Sequence, residues 1–214
     1  MPTTIHFEGI AGSGKSTASE TFCRLLRHRG VSAAWWLEEL ADHPVMPKAK
    51  RVQAKQAGFA ELCLDAWQVF LSRNTQEVSR FDGCAFQSTV RFLFEQGISH
   101  DQIQQYFCQW QELSPNTAII YLVVNDSKEH YEKVFAERGE EWTDKLIAWV
   151  QQTPIGKSSN FRGEKGFIEF WRSYQDLCLG LLDGAFVRVH LLEARLWRDA
   201  DLEGLAITHK LGIG

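Results

Sequence analysis

A short segment near the start of the chain combines glycine, lysine and serine at a spacing that suits phosphate binding. Residues 9–16 read GIAGSGKS and fit the pattern G-x-x-x-x-G-K-[ST] in full. The glycines allow backbone angles that side chains forbid, so successive N–H groups can point at one phosphate group. Lys15 would bring a positive charge to the β and γ phosphates of a nucleotide, and the Ser16 hydroxyl would contact Mg²⁺. The residues expected to bind the nucleotide are Gly9, Ala11, Gly12, Ser13, Gly14, Lys15, Ser16 and Thr17.

The elements on either side of this segment are those that a phosphate-binding loop needs. Residues 3–8 predict a short strand before the glycines, and residues 16–29 predict a helix that ends near Gly30. The positive end of such a helix would add to the field that attracts a phosphate. A dinucleotide-binding pattern fits less well, because Thr17 stands where its third glycine should be.

Short apolar runs alternate with helical patterns along the rest of the chain. The run over 117–124 predicts the clearest strand, because a continuous apolar stretch suits a strand covered on both faces of a parallel sheet. This alternation predicts an α/β fold, with a five-stranded parallel sheet sandwiched between helices and the phosphate site at the carboxyl ends of the strands. Further strands are predicted over 32–37, 78–82 and 186–192, and further helices over 47–73, 85–96, 167–182 and 202–211. Two more helices are predicted, one that begins at a capping box over 99–102 and one that Asp126 caps.

Composition excludes several classes of protein. The 214 residues are 44% hydrophobic, which predicts one folded domain over residues 1–214 rather than a disordered chain. The net charge of −4 disfavours a nucleic-acid partner, and the longest apolar run is too short to cross a membrane. Five dispersed cysteines without a C-x-x-C pair, together with the absence of a leader pattern, favour the cytoplasm.

The loop and the order of the elements resemble those of the P-loop nucleoside and nucleotide kinases, the thymidylate kinase-like group. In that group a carboxylate after the second strand acts on the phosphoryl acceptor, and Glu38 and Glu39 stand at this place. A second acidic residue ends the third strand and acts with Mg²⁺; the resemblance assigns this role to Asp82, although the group usually has Arg next and this chain has Gly83. Residues 35–44 also resemble a region of bacterial P-loop kinase-like proteins.

The resemblance also implies contacts with the acceptor and a lid. An Ala-Phe-Gln stretch that ends at Gln87 looks like the Ala-Tyr-Gln stretch that holds a substrate base, although it lies closer to the acidic residue than in the group. Arg91, one helical turn beyond Gln87, could reach a substrate phosphate or pair with a surface carboxylate. Residues 139–166 are polar and lack helical periodicity, and they resemble the arginine-bearing lid of the group, with Arg138 and Arg162 as candidates.

These features predict a kinase that uses ATP and Mg²⁺ to phosphorylate a small molecule, namely a nucleoside, a nucleotide or a hydroxyl-bearing antibiotic. The acceptor would bind between the helices over 47–75 and 85–112. The alternative is an NTP-dependent regulatory ATPase or switch without an acceptor, and a third interpretation is a nucleotide-binding partner protein without turnover; association into a homodimer is left open. The expected catalytic residues are Lys15, Glu39, Glu38 and Asp82, with Ser16 and Asp82 at the metal ion.

Overall fold

Five parallel strands form one sheet in the computed structural model of the chain, in the order β2-β3-β1-β4-β5. The structure describes residues 3–38, 40–46, 58–76, 78–194, 196–197 and 201–202. This order places β1, the strand that leads into the glycine segment, at the centre of the sheet, and it confirms the predicted α/β class. The strands are β1 (Thr3–Gly9), β2 (Ala33–Trp36), β3 (Val78–Asp82), β4 (Thr117–Val123) and β5 (Arg188–Glu193).

Helices connect the strands and cover both faces of the sheet. Ser99 Oγ accepts a hydrogen bond from the Gln102 backbone N–H, and Asp126 Oδ1 accepts one from that of Glu129, so both helix caps are confirmed. Parts of two predicted helices, residues 47–57 and 203–211, lie outside the described residues. Among the described helices, none has the length and apolar character needed to cross a membrane. The helices are α1 (Lys15–His28), α2 (Phe59–Arg73), α3 (Arg91–Glu95), α4 (His100–Leu113), α5 (Ser127–Arg138), α6 (Glu140–Gln152), α7 (Pro154–Ser158) and α8 (Gly163–Asp183).

The segment after β3 departs from the single helix predicted for residues 85–96. A π-helical turn over Phe86–Val90 comes first, and α3 continues from its end. Within the turn, Ser88 N donates to the carbonyl oxygen of Gly83, five residues back, at 2.9 Å. Apolar periodicity does not distinguish this wide turn from an α-helical one, and such turns are frequent at functional sites.

The polar stretch over 139–166 is largely helical, so the expected loss of periodicity was wrong. On α6, Trp142, Leu146 and Val150 recur at four-residue spacing and pack into the core beside α8. Thr153 then follows α6 and caps α7, because its Oγ1 accepts a hydrogen bond from Gly156 N at 3.0 Å. Two charged residues before Leu146 and the continuous apolar run over 146–150 conceal this stripe in the sequence.

Side chains of β1 point alternately into two separate cores. Phe7 packs in the cluster that includes α1. His6 faces the opposite side of the sheet, where it is fully buried and stacks on Phe81 with ring centroids 5.0 Å apart. Trp67 on α2 and Trp110 on α4 meet the same imidazole edge-on, at 5.3 and 5.1 Å. The central strand therefore carries an ionisable ring inside an aromatic core.

Replacing His6 by phenylalanine is expected to reduce the acid sensitivity of the fold. Burial lowers the pKa of His6 from 6.5 to about 3, and nearby His43 adds to this effect. Between these values the unfolded chain binds more protons than the native one, so stability falls as the pH falls from 6.5 towards 3. Urea unfolding at pH 7.5 and 4.5 should show that His6→Phe loses about 2–3 kcal/mol less stability than the wild type over this interval.

His28 provides the matched control because it is exposed on α1. His28→Phe should keep the wild-type pH dependence. If the stability of His6→Phe depended on pH as strongly as that of the wild type, this result would contradict a buried, neutral His6.

Candidate active site

The glycines between β1 and α1 adopt the conformations that the motif requires. Gly9 (φ 147°) and Gly12 (φ 77°) both lie at positive φ. A Cβ atom at Gly9 would lie 2.8 Å from the Leu122 carbonyl oxygen on β4, and one at Gly12 would lie 2.7 Å from Val134 Cγ2 on α5. The neighbouring strand and helix therefore exclude side chains at both positions, and residues 9–16 form a tight loop, called the phosphate-binding loop below.

Lys15 is held inside the phosphate-binding loop. Its side chain is 7% exposed, and its Nζ donates a hydrogen bond to the Ile10 carbonyl oxygen at 3.3 Å. Ser13 is fully buried within the loop, whereas Ser16 and Thr17 are exposed in the first turn of α1. The ammonium group and the positive end of α1 can therefore act on the same anionic ligand.

His130 on α5 supports the loop from another side, a contact that sequence reasoning missed. Its Nε2 lies 2.9 Å from the Ala11 carbonyl oxygen, and this nitrogen carries the hydrogen because a carbonyl oxygen only accepts. The same Nε2 atom would lie 3.3 Å from a Cβ atom at Gly12. A lone histidine on a helix gives no signal of such a contact before the fold is known.

A cleft of about 350 Å³ opens beside the loop at the carboxyl ends of the strands. Glu38 reaches it from the segment after β2, Asp82 from the end of β3 and Gln87 from the π-helical turn. Arg138, the last residue of α5, also lines it. These four predicted site residues therefore share one cleft with the loop. The lining residues are Ala11, Gly12, Gly14, Lys15, Ser16, Thr17, Glu38, Asp82, Gln87 and Arg138.

Two predicted arginines have partners elsewhere. Arg91 forms an ion pair with Glu95, one helical turn further on, and does not line the cleft. Arg162 is exposed and donates to the Gln151 carbonyl oxygen at 3.4 Å, also away from the cleft lining. Local partners thus hold both guanidinium groups. Glu39, the other predicted carboxylate after β2, lies outside the described residues.

Gly83 leaves room for Glu38 beside Asp82. It lies at φ 68°, and a Cβ atom there would be 2.6 Å from Glu38 Oε2 and 3.4 Å from Gln87 Cβ. The Glu38 carboxylate therefore packs directly over the backbone that follows Asp82. A side chain at position 83, where the resembled group usually has arginine, would displace this carboxylate.

Glu8 is a second residue that sequence reasoning missed. It is fully buried at the end of β1, and its carboxylate accepts hydrogen bonds from Ala85 N at 2.8 Å and Gln87 N at 3.4 Å. Burial raises the pKa of Glu8 to about 8, although these N–H groups, that of Phe86 and the charge of Lys15 all lower it. An acidic residue at the end of the predicted strand, directly before the loop, was the available signal.

A second cavity, of about 280 Å³, lies at the carboxyl ends of β4 and β5. His130 lines it and also contacts the loop, so the cavity adjoins the phosphate-binding loop. The lining residues are Val124, Asn125, Asp126, Glu129, His130, Lys133, Glu193, Ala194 and Leu196.

Comparisons with known proteins agree with this architecture. No protein-family model and no curated protein sequence matches the chain. It is similar in structure to YorR of Bacillus subtilis in complex with phosphorylated GDP, with a TM-score of 0.50 and 13% identity over 98% of this chain and 97% of that chain. It is also similar to shikimate kinase of Bacteroides thetaiotaomicron, with a TM-score of 0.50 and 15% identity over 95% and 96% of the two chains. The chain therefore has the fold of the P-loop kinases, while neither structure singles out the thymidylate kinase-like group.

Proposed function

We propose that this chain is a phosphotransferase that moves the γ-phosphoryl group of ATP to a hydroxyl or phosphate group of a nucleoside, a nucleotide or a nucleoside-like antibiotic. The observation that carries the proposal is the single cleft that joins the phosphate-binding loop to two carboxylates from other strands, Glu38 and Asp82. Phosphoryl transfer requires mainly positioning and the neutralisation of charge, and such a cleft can supply both. The fold shared with a shikimate kinase supports this chemistry.

The donor side of the cleft consists of the loop and the start of α1. Backbone N–H groups over 12–17 would hold the phosphates, and Lys15 would exchange the Ile10 carbonyl oxygen for β and γ phosphate oxygens. The Ser16 hydroxyl and the Asp82 carboxylate line the same cleft and fit Mg²⁺, which takes few protein oxygens and completes its shell with phosphate and water. Bound there, Mg²⁺ would neutralise charge on the phosphate oxygens.

The acceptor side of the cleft consists of Glu38, Gln87 and Arg138. Glu38 packs over Gly83 beside Gln87, so its carboxylate can accept or orient the proton of an acceptor hydroxyl. Gln87 Oε1 is buried and has no hydrogen-bond partner among the described residues, which suits a polar donor group of the acceptor. Arg138 would cover the transferring group.

The second cavity is the proposed place of the donor base. It adjoins the loop through His130, and its polar lining offers Asn125, Asp126 and Glu129 to the edge of a base. Residues 125–128 read NDSK, which is not the Asn-Lys-x-Asp pattern of guanine-specific GTPases. ATP is accordingly the proposed donor.

A regulatory ATPase or switch without an acceptor is the second candidate. One observation favours it: Arg91 and Arg162, expected to bind the acceptor or cover the transferring group, have partners away from the cleft. Arg138 is the arginine that lines the cleft as far as the described residues show. Hydrolysis uses water as the acceptor, so it needs no cation to bind a phosphorylated acceptor.

Lys15→Ala is expected to abolish ATP turnover, with a loss of roughly 10²-fold or more, and to leave the fold intact. The Lys15 ammonium faces the phosphate site and bonds one carbonyl oxygen, so its removal affects charge rather than packing. The measurements are ATP consumption and thermal unfolding. Lys128→Ala is the control, because Lys128 is exposed on α5 and pairs with Glu132. Turnover at the wild-type rate in Lys15→Ala would overturn the assignment of the loop.

Glu38→Gln and Asp82→Asn should impair different steps, namely phosphoryl transfer alone in the first variant and Mg²⁺-dependent ATP binding as well in the second. If Glu38 serves the acceptor hydroxyl, Glu38→Gln should bind ATP with near-normal affinity while transfer falls by roughly 10²–10⁴. Asp82→Asn removes charge from the proposed metal site, so Mg²⁺-dependent ATP binding should weaken as well. The assay is ATP consumption across nucleosides, nucleotides and hydroxylated antibiotics, with mass spectrometry of the acceptor. Acceptor-independent hydrolysis that Glu38→Gln leaves unchanged would favour the switch instead.

Gly83→Ala tests whether the position of Glu38 matters, and Gly97→Ala provides a matched control. Both glycines have positive φ, 68° and 72°, but a Cβ atom at Gly97 meets nothing within 4 Å. Each variant should lose about 1–2 kcal/mol in urea unfolding through backbone strain. Only Gly83→Ala should also lose transfer, by roughly 10²-fold, because it displaces the Glu38 carboxylate. Equal transfer rates in the two variants would exclude this role of Glu38.

A further inference from the structure

The last side chain of β1 before the phosphate-binding loop is a carboxyl group that the proposed transfer does not use. Glu8 is fully buried, and its two carboxylate oxygens accept hydrogen bonds from different residues: Oε1 from Ala85 N and Oε2 from Gln87 N. Both donors belong to the start of the π-helical turn. Burying a carboxyl group in a core costs free energy. Its presence in the central strand is therefore best explained by the groups that it holds in place.

The surroundings of Glu8 contain little that could pair with it electrostatically. The titratable groups that face Glu8 are in their neutral forms, since burial raises the pKa of each tyrosine and cysteine and lowers that of His6 on the same strand. Lys15 is the cation that acts on Glu8 in the described part of the chain. The facing groups are His6 on β1, Tyr106 on α4, Tyr121 on β4, and Tyr174 and Cys178 on α8.

The two hydrogen bonds connect the loop strand to the acceptor side of the cleft. Ala85 and Gln87 follow Asp82 and Gly83 directly, and Gly83 is the residue over which the Glu38 carboxylate packs. A shift of the turn would therefore move Gln87 relative to the phosphates and to the Glu38 carboxylate, whereas Asp82 is fixed in β3 by its pairing with β1. Gly83 N joins the end of β3 to β1 through the Phe7 carbonyl oxygen. Beyond this backbone hydrogen bond, the side chain of Glu8 links β1 directly to residues 85–87.

We infer that Glu8 is a positioning residue: its carboxyl group fixes the turn that presents Gln87 to the phosphate-binding loop. The importance of Glu8 for catalysis rests on the proposed function, but Glu8 holds the turn in the protein without ligand as well. Lys15 adds a link to the ligand, because bound phosphate compensates the charge of Lys15 that otherwise favours ionised Glu8. Nucleotide binding should then favour the protonated carboxyl.

Glu8→Leu and Glu8→Gln test this inference, with Thr4→Val as a matched control. Leucine has a similar size and no acceptor, whereas glutamine keeps one carbonyl oxygen for the turn. Thr4 also lies on β1, is buried and shares a 2.6 Å hydrogen bond with Thr117, but it lies at the other end of the strand from the cleft. Thr4→Val thus removes a buried hydrogen bond from the same strand without touching the turn.

The first measurement is hydrogen exchange over residues 83–90 in the protein without ligand. Glu8→Leu should accelerate exchange in this segment by roughly tenfold or more, Glu8→Gln should do so less, and Thr4→Val should leave it unchanged. Equal exchange in all three variants and the wild type would overturn the positioning role. If Glu8→Leu does not fold, the comparison of Glu8→Gln with Thr4→Val still decides the question.

The second measurement is the affinity for a non-hydrolysable ATP analogue with Mg²⁺ between pH 6.5 and 9.5. The affinity of the wild type should fall about two- to tenfold as the pH rises through about 8, the pKa of Glu8 in the protein without ligand. Glu8→Gln should not show this loss of affinity. A role in packing alone would give both proteins the same pH profile, which would contradict the link to the ligand. Failure of the wild type to bind the analogue would reject the proposed function instead, while the exchange result would still stand.

Discussion

The register of the parallel strands around β1 is the constraint on which the rest of the site depends. β1 pairs with β3 so that Phe7 stands opposite Asp82, and with β4 so that Gly9 stands opposite Leu122. Gly83 N extends the pairing by donating to the Phe7 carbonyl oxygen at 2.9 Å. The strands therefore end at one edge of the sheet, where the loop and the carboxylates meet. A shift of one residue would turn Asp82 to the other face of the sheet.

The same strand carries polar groups that a more stable core would lack. His6 and Glu8 are both fully buried on one face of β1, where apolar side chains would avoid the cost of desolvation. Burial favours the neutral form of each group, since it lowers the pKa of His6 and raises that of Glu8. The Glu8 carboxyl group offsets part of this cost by positioning the turn, because it accepts hydrogen bonds from the backbone of Ala85 and Gln87. The central strand thus gives up stability in exchange for a defined geometry beside the loop.

Features encoded by a local pattern could be predicted from the sequence, whereas features that depend on distant contacts could not. The apolar run at 117–124 and the glycine pattern at 9–16 identified the central sheet and the loop, because each depends on its own residues. Helical spacing placed Arg91 on the face of Gln87 and left a substrate phosphate or a carboxylate open as its partner, and in the structure Glu95, one turn further on, pairs with it. The stripe of α6 was missed because its later positions lie in a continuous apolar run over 146–150, which hides the four-residue spacing. The π-helical turn was missed because apolar periodicity does not distinguish it from an α-helical turn.

Long-range contacts also explain why the departure at position 83 could not be interpreted from the sequence. The absence of arginine after Asp82 suggested only a difference from the resembled group, whereas the structure shows the Glu38 carboxylate in the space that a side chain there would need. His130 gave no signal for the same reason, since its partner Ala11 lies 119 residues away in the sequence. Each contact joins elements that are remote in the chain and adjacent only once the sheet has formed.

Among the described residues, the charges that line the cleft balance before any ligand enters. Lys15 and Arg138 bring positive charge, and Glu38 and Asp82 bring negative charge. A bare triphosphate would be repelled by both carboxylates, whereas a triphosphate that arrives with Mg²⁺ makes Asp82 a ligand rather than a repelling neighbour. Glu38 would still face the acceptor, where its negative charge helps to take a proton from a hydroxyl but opposes an incoming phosphate. Under the proposed function, the charges of the described lining would therefore favour a neutral hydroxyl over a phosphate group as the acceptor.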